Sequence, residues 1–158
     1  MTVEELLARE AIRHTIATYT IAGDRLRVDE FVAVFADDAV IETEGVPEPE
    51  CFRHQGRQAI HGWIGGFGRA MREGVPGARA TFIRHHLSTC LIELIDPHTA
   101  RSRTYWVAYT DIGPDHCGHY VDAFRKVGAR WLISHRRIRV DWRSSESLYS
   151  KPVKPPPE

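Results

Sequence analysis

Asp24, His85 and Tyr19 are the side chains of this sequence whose types suit proton chemistry. A carboxylate bonded to one imidazole nitrogen fixes the tautomer and makes the other nitrogen a stronger base near neutral pH. Asp24 comes directly after a helical segment and His85 opens an extended one, so the two could meet at a pocket mouth. On the residues alone, Asp24 could also be a solvated loop or N-cap residue, and His85 a surface residue of its strand. His86 competes for the same role. Successive strand residues point to opposite faces, so only one of the two histidines can face a cavity. Tyr19 lies on the apolar stripe of its helix; its buried hydroxyl needs a partner, which a substrate oxygen or the backbone could supply.

A second group of residues could form the wall of such a pocket. Gly118, Tyr120, Asp122 and Phe124 share one parity of a strand, Gly128 supplies a turn, and an apolar and basic strand returns after it. With Tyr105 and Trp106 on the preceding strand they offer aromatic surface for a flat hydrophobic ligand, although an ordinary core requires the same residues. Asp122 would cost several kcal/mol to bury unpaired. Its expected partner is Arg137 or Arg139 of the last strand, while Arg136, Arg137 and Arg139 together read as a solvated or interfacial basic face. His119 has the opposite parity to Tyr120 and is expected outside the pocket.

These residues must be positioned by an ordered set of elements. Leu7, Ala11, Ile12, Ile16 and Tyr19 recur at helical spacing, predicting an amphipathic helix over 3–22 that stops at Gly23. A short helix over 28–35 follows, then a first strand, a loop over 44–55, and a third helix over 57–71 whose glycines weaken it and permit close packing as readily as mobility. Gly74-Val75-Pro76-Gly77 precedes strands at about 81–95, 101–111, 117–127 and 131–142, with turns at Asp96-Pro97-His98-Thr99 and Gly113-Pro114-Asp115. Helices first and mostly consecutive antiparallel strands after them make an α+β pattern. One domain is expected over residues 1–143, followed by a Pro-rich tail over 144–158.

Composition excludes several classes. Lys+Arg and Asp+Glu both number 21 of 158 residues, so there is no bulk positive field to hold nucleic acid. No apolar run approaches the roughly 20 residues of a membrane span, and the acidic start of the chain is unlike a signal peptide, so a soluble, cytoplasmic protein is expected. Cys51, Cys90 and Cys117 are odd in number and far apart, which argues against a disulfide framework. His116-Cys117-Gly118-His119 is weak as a metal signature, because the two histidines of a strand at that spacing face opposite sides. No metal site, no redox cofactor and no phosphate-cradling loop is expected.

The pattern Tyr19…Asp24, Phe35-x-Asp-Asp-Ala-Val, Gly56-Arg57-x-Ala-Ile, Arg84-His85-His86-Leu87-Ser88, Gly118-x-Tyr-x-Asp-x-Phe and Gly-x-x-Trp131 resembles the SnoaL-like proteins of the nuclear-transport-factor-2-like superfamily. The resemblance covers about residues 3–143. It implies a curved, antiparallel or mixed sheet wrapped around the N-terminal helices as a cone-shaped barrel with an internal pocket. Its dehydratases and dehydrochlorinases keep an aspartate after the first helix and a histidine opening the first long strand. The resemblance therefore implies a catalytic Asp24–His85 pair with Tyr19 polarising a carbonyl; the substrate contacts expected from the strand residues themselves are Tyr105, Trp106, Tyr120, Asp122 and Phe124.

The implied activity is that of a cofactor-free lyase or isomerase on a small hydrophobic cyclic molecule. The same fold also serves non-catalytic binding or assembly modules and the small structural subunit of ring-hydroxylating dioxygenases. A homodimer or higher homo-oligomer is expected from the family.

Overall fold

Thr2 starts the first helix with a capping box: its hydroxyl accepts from the Glu5 amide at 3.2 Å, and the Glu5 carboxylate accepts from the Thr2 amide at 2.9 Å. The structure, a computed structural model, describes residues 1–46, 51–73 and 80–148, and only the backbone of residues 67–73. Helix α1, Val3–Asp24, turns Ile12, Ile16 and Tyr19 into the core, as the spacing predicts, and Ala22 with them, whereas Leu7, expected on the same stripe, is exposed. It continues through Gly23, however. The stop is a reciprocal pair of bonds, Arg27 N–H to the Ala22 carbonyl and Leu26 N–H to the Gly23 carbonyl, with Leu26 at φ 52°. A leucine accepts this left-handed conformation at some cost, offset by its packing against the core. Gly23 serves a different purpose from the one expected: a Cβ there would lie 3.2 Å from the Phe31 ring.

Helix α2 is shorter than its sequence pattern suggests, Val28–Val32, because Phe35 already begins strand β1, Phe35–Glu44. Within the expected 44–55 loop lies a short strand, β2, Arg53–Gln55. Helix α3 spans Arg57–Glu73; a Cβ at Gly62, Gly65 or Gly66 would meet nothing within 4 Å, so these glycines do not serve close packing. Strands β3, Arg84–Leu94, β4, Thr99–Thr110, β5, Gly113–Val127, and β6, Arg130–Arg143, follow. Gly113 and Pro114, expected in a turn, already pair with Thr110 and Tyr109. The Gly74–Gly77 turn and the Pro-rich residues 151–158 lie outside the described residues. Residues 144–148, expected as the start of the tail, return to the sheet, with Ser144 N–H donating to the Asp115 carbonyl.

The six strands form one curved mixed sheet in the order β2-β1-β6-β5-β4-β3, antiparallel except for β1 beside β6. The sheet does not close into a barrel: β2 and β3 remain as its edges. Its inner face and α1, α2 and α3 enclose one apolar core. Along β4 and β5 burial alternates strictly, so even-numbered residues from Ala100 to Thr110 and from Gly118 to Phe124 face inward.

Of the irregularities in the sheet, three re-aim side chains along β5 and β6. Asp115 is an extra residue against β4, Asp141 an extra residue of β6 against β5, and Ser134 another. At the Asp141 irregularity the strands approach so closely that a Cβ on Gly118 would stand 1.9 Å from the Arg139 carbonyl oxygen and 3.0 Å from the Trp106 ring. Backbone cannot yield as a side chain can. Gly118→Ala is expected to cost at least about 2 kcal/mol and lower the thermal midpoint by roughly 5 °C or more. An unchanged melting curve would show that this crossing has slack.

No helix among the described residues is long and apolar enough to cross a membrane. The three cysteines form no disulfide.

Candidate functional site

The irregular end of α1 places Asp24 in its last turn, at the negative end of the helix dipole, where a carboxylate needs donors. His85 supplies two. Its backbone N–H donates to Asp24 Oδ2 at 2.9 Å, and its Nδ1 stands 2.6 Å from Asp24 Oδ1. A carboxylate only accepts, so Nδ1 carries the hydrogen and Nε2 keeps the lone pair. The Asp24 side chain is 7% exposed and that of His85 23%, which suits a base held at the edge of an interior. His86 is exposed on the other face, against the Tyr109 ring.

From His85 a chain of rings runs inward. Trp106 meets His85 edge-on at 5.7 Å and stacks on Tyr120 at 5.7 Å; Tyr120 meets Tyr19 at 5.8 Å, and Tyr19 meets Phe31 at 4.6 Å. Trp106 is buried, and its indole N–H has no hydrogen-bond partner. Burial pushes the phenols of Tyr19 and Tyr120 above their ordinary values, so both remain protonated donors at neutral pH.

Beneath these rings lies the polar part of the core. Asp122 pairs with Arg136, its direct cross-strand neighbour, through Nε–Oδ1 at 2.7 Å and Nη2–Oδ2 at 2.6 Å, with both side chains fully buried. The extra residue Ser134 shifts the parity of β6, so the partner is Arg136 and neither Arg137 nor Arg139. Those two face outward to Glu44 and Asp141. The guanidinium carbon stands 3.9 Å from the Tyr19 ring centre and 4.2 Å from that of Tyr120, between two π faces. Burial opposes its charge, but Asp122 more than offsets this and holds its pKa above the ordinary value. Phe124 is fully buried in the core nearby. Tyr105 is not in the site: it follows the strand alternation to the outer face, 48% exposed, against the ring of His119. His119, as expected, is outside, bonded to Asp141 at 2.7 Å.

The residues alone do not single out His116. It faces His85 across the sheet, with ring centres 6.4 Å apart, and its Nδ1 stands 2.7 Å from Asp115 Oδ1. Among the described residues no group of three His, Cys, Asp or Glu side chains is placed to hold a metal ion. Two surface hollows, of about 470 and 570 Å³, lie away from the dyad, one beside α1 and Trp131, the other beside Asp29 and His61.

Helices followed by an open, curved six-stranded sheet are the fold of the nuclear-transport-factor-2-like, or cystatin-like, proteins. Within it the chain belongs to the SnoaL-like domain family, whose model matches residues 4–137. Similar solved structures include a candidate scytalone dehydratase from Novosphingobium aromaticivorans (24% identity, TM-score 0.71, 91% of each chain covered). A hexachlorocyclohexane dehydrochlorinase, LinA-type3, from Novosphingobium barchaimii is similar at 14% identity and TM-score 0.67, covering 90% of this chain and 92% of that one. The beta subunit of a candidate aromatic-ring-hydroxylating dioxygenase from Novosphingobium aromaticivorans follows at 19% and 0.69, covering 94% and 99%. At these identities the likeness is one of fold. A search of curated proteins found no match.

Proposed function

We propose that the protein is a cofactor-free lyase or isomerase of the dehydratase type, acting on a small hydrophobic cyclic substrate. The two-point contact of Asp24 with His85 carries this reading, because it spends a buried carboxylate on orienting one imidazole. His85 Nε2 takes a proton from carbon next to a carbonyl, and the electron pair moves onto the carbonyl oxygen. Asp24 stabilises the imidazolium so formed, and the protonated Tyr19 phenol donates toward the oxyanion. Collapse of the enolate then expels a β-substituent with formation of the C=C bond, or returns the proton at another carbon. Trp106 and Tyr120 present ring surface to a flat substrate.

Proton abstraction can be tested before the leaving group is known. Incubation with α-tetralone in deuterated water should show protein-catalysed exchange of the protons next to the carbonyl, followed by NMR. If α-tetralone and β-hydroxy cyclic ketones bind but show neither exchange nor loss of water above buffer, the fold serves as a binding module.

A further inference from the structure

We propose that Arg136 is a positioning residue for the proton transfer: clamped by Asp122 against the rings of Tyr19 and Tyr120, its cation makes the Tyr19 phenol a stronger hydrogen-bond donor toward the oxyanion. This rests on the lyase reading and deepens it by assigning the charge that tunes its oxyanion donor.

Three strands and one helix build the cation in. Ser102, Asp122 and Arg136 form one cross-strand row over β4, β5 and β6, and all three are buried. Ser102 Oγ donates to Asp122 Oδ2 at 3.4 Å, and Arg136 gives Nε and Nη2 to the two carboxylate oxygens. A two-point fork of this kind fixes the guanidinium in orientation as well as in place. It fills the corner between Tyr19 and Tyr120, whose rings meet edge-on at 5.8 Å, at 3.9 Å from one ring centre and 4.2 Å from the other. Trp106 lies between Tyr120 and His85, touching both rings, so the cation stands apart from the base. Its contact with the proposed machinery is through Tyr19.

A frame alone does not call for such a pair. Two apolar side chains of similar volume often hold a core as well or better, because desolvating two charges offsets their attraction. They cannot supply a fixed positive charge against a phenol ring. A cation over the ring favours the electron-rich phenolate over the neutral phenol, and a more acidic phenol gives the stronger bond to an oxyanion. Burial pushes both phenols up, and the Arg136 charge acts against burial at each. Asp122 and Asp24, the anions that Tyr19 also feels, act in the same direction as burial. Tyr120 stands well above its ordinary value and Tyr19 less so, which leaves Tyr19 as the stronger donor of the two.

The test reads the phenol and the reaction separately. The full chain is labelled with 3-fluorotyrosine, whose fluorine lowers the phenol pKa and keeps the titration clear of alkaline unfolding. The fluorine resonance of Tyr19, assigned by its loss in Tyr19→Phe, is followed against pH. In the neutral double variant Asp122→Leu with Arg136→Met, the Tyr19 midpoint should rise by about half a pH unit or more. Arg136→Lys, which keeps a cation, should leave it near that of the unmodified protein. Exchange of the α-tetralone protons should fall about tenfold in the double variant, and should fall no further when the same changes are made in Tyr19→Phe. Circular dichroism checks folding; if the apolar pair does not fold, Asp122→Asn with Arg136→Gln, neutral and hydrogen-bonding, takes its place. A Tyr19 midpoint that stays put or falls in the neutral variant overturns the proposal, and so does a tenfold loss that recurs in Tyr19→Phe. A raised midpoint without exchange in the unmodified protein leaves the tuning standing and removes the lyase; exchange with an unmoved midpoint does the reverse.

Discussion

His85→Ala is expected to lower α-proton exchange by roughly a hundredfold to ten-thousandfold, the usual contribution of a positioned general base. Asp24→Asn should fall in the same direction by another route. An amide can turn its NH₂ toward Nδ1, which moves the imidazole hydrogen to Nε2 and leaves no lone pair for the substrate. Because Asp24 acts only through His85, the double variant should be scarcely worse than His85→Ala alone. His86→Ala is the control: its exposed ring packs on Tyr109 on the other face, and activity should be near that of the unmodified protein. Measuring all four proteins by deuterium incorporation, with melting curves to show that each is folded, decides the matter. An active His85→Ala protein, or equal damage from His85 and His86, would sink the mechanism and leave the fold untouched.

The pairing of Asp24 with His85 was legible because each lies at the end of a strongly patterned element and because the family resemblance chose His85 over His86. Alternation alone could say only that the two histidines diverge. It did, however, contain a correction that residue type obscured: Tyr105 and Trp106 are neighbours on one strand, so both could not line one wall. Arg136 was misplaced for a different reason. Parity counted from Trp131 fails at Ser134, and one extra residue turns a solvent-facing arginine into the most buried cation among the described residues. The same device hid His116. Gly113-Pro114-Asp115 has the composition of a turn, yet it opens β5, and the irregularity at Asp115 builds a further carboxylate–imidazole pair that spacing cannot show. Gly23 has the composition of a helix stop, but the space it leaves is filled by Phe31 and the stop falls on Leu26. Long periodic segments were readable; single-residue departures from the period, which aim much of this site, were not.

Asp122→Asn should be the most destabilising single change in the polar core. The Asp122 carboxylate is the only anion bonded to Arg136 among the described residues, and both side chains are fully buried. The π faces of Tyr19 and Tyr120 attract the cation but cannot replace a bidentate carboxylate. Removing one partner of such a pair typically costs about 3–5 kcal/mol, a large part of the roughly 5–15 kcal/mol that holds a domain of this size. The thermal midpoint should fall by about 6–20 °C. Removing both charges is a different matter, since desolvation of the pair is then no longer a cost. Asp122→Leu with Arg136→Met should recover most of the lost stability, although the rings of Tyr19 and Tyr120 must repack on a thioether. If Asp122→Asn keeps its melting temperature and loses only proton exchange, the carboxylate belongs to the chemistry and not to the frame. If the double variant is less stable than Asp122→Asn, the guanidinium supports the ring stack on its own, and the two tyrosines, more than the aspartate, are what it holds in place.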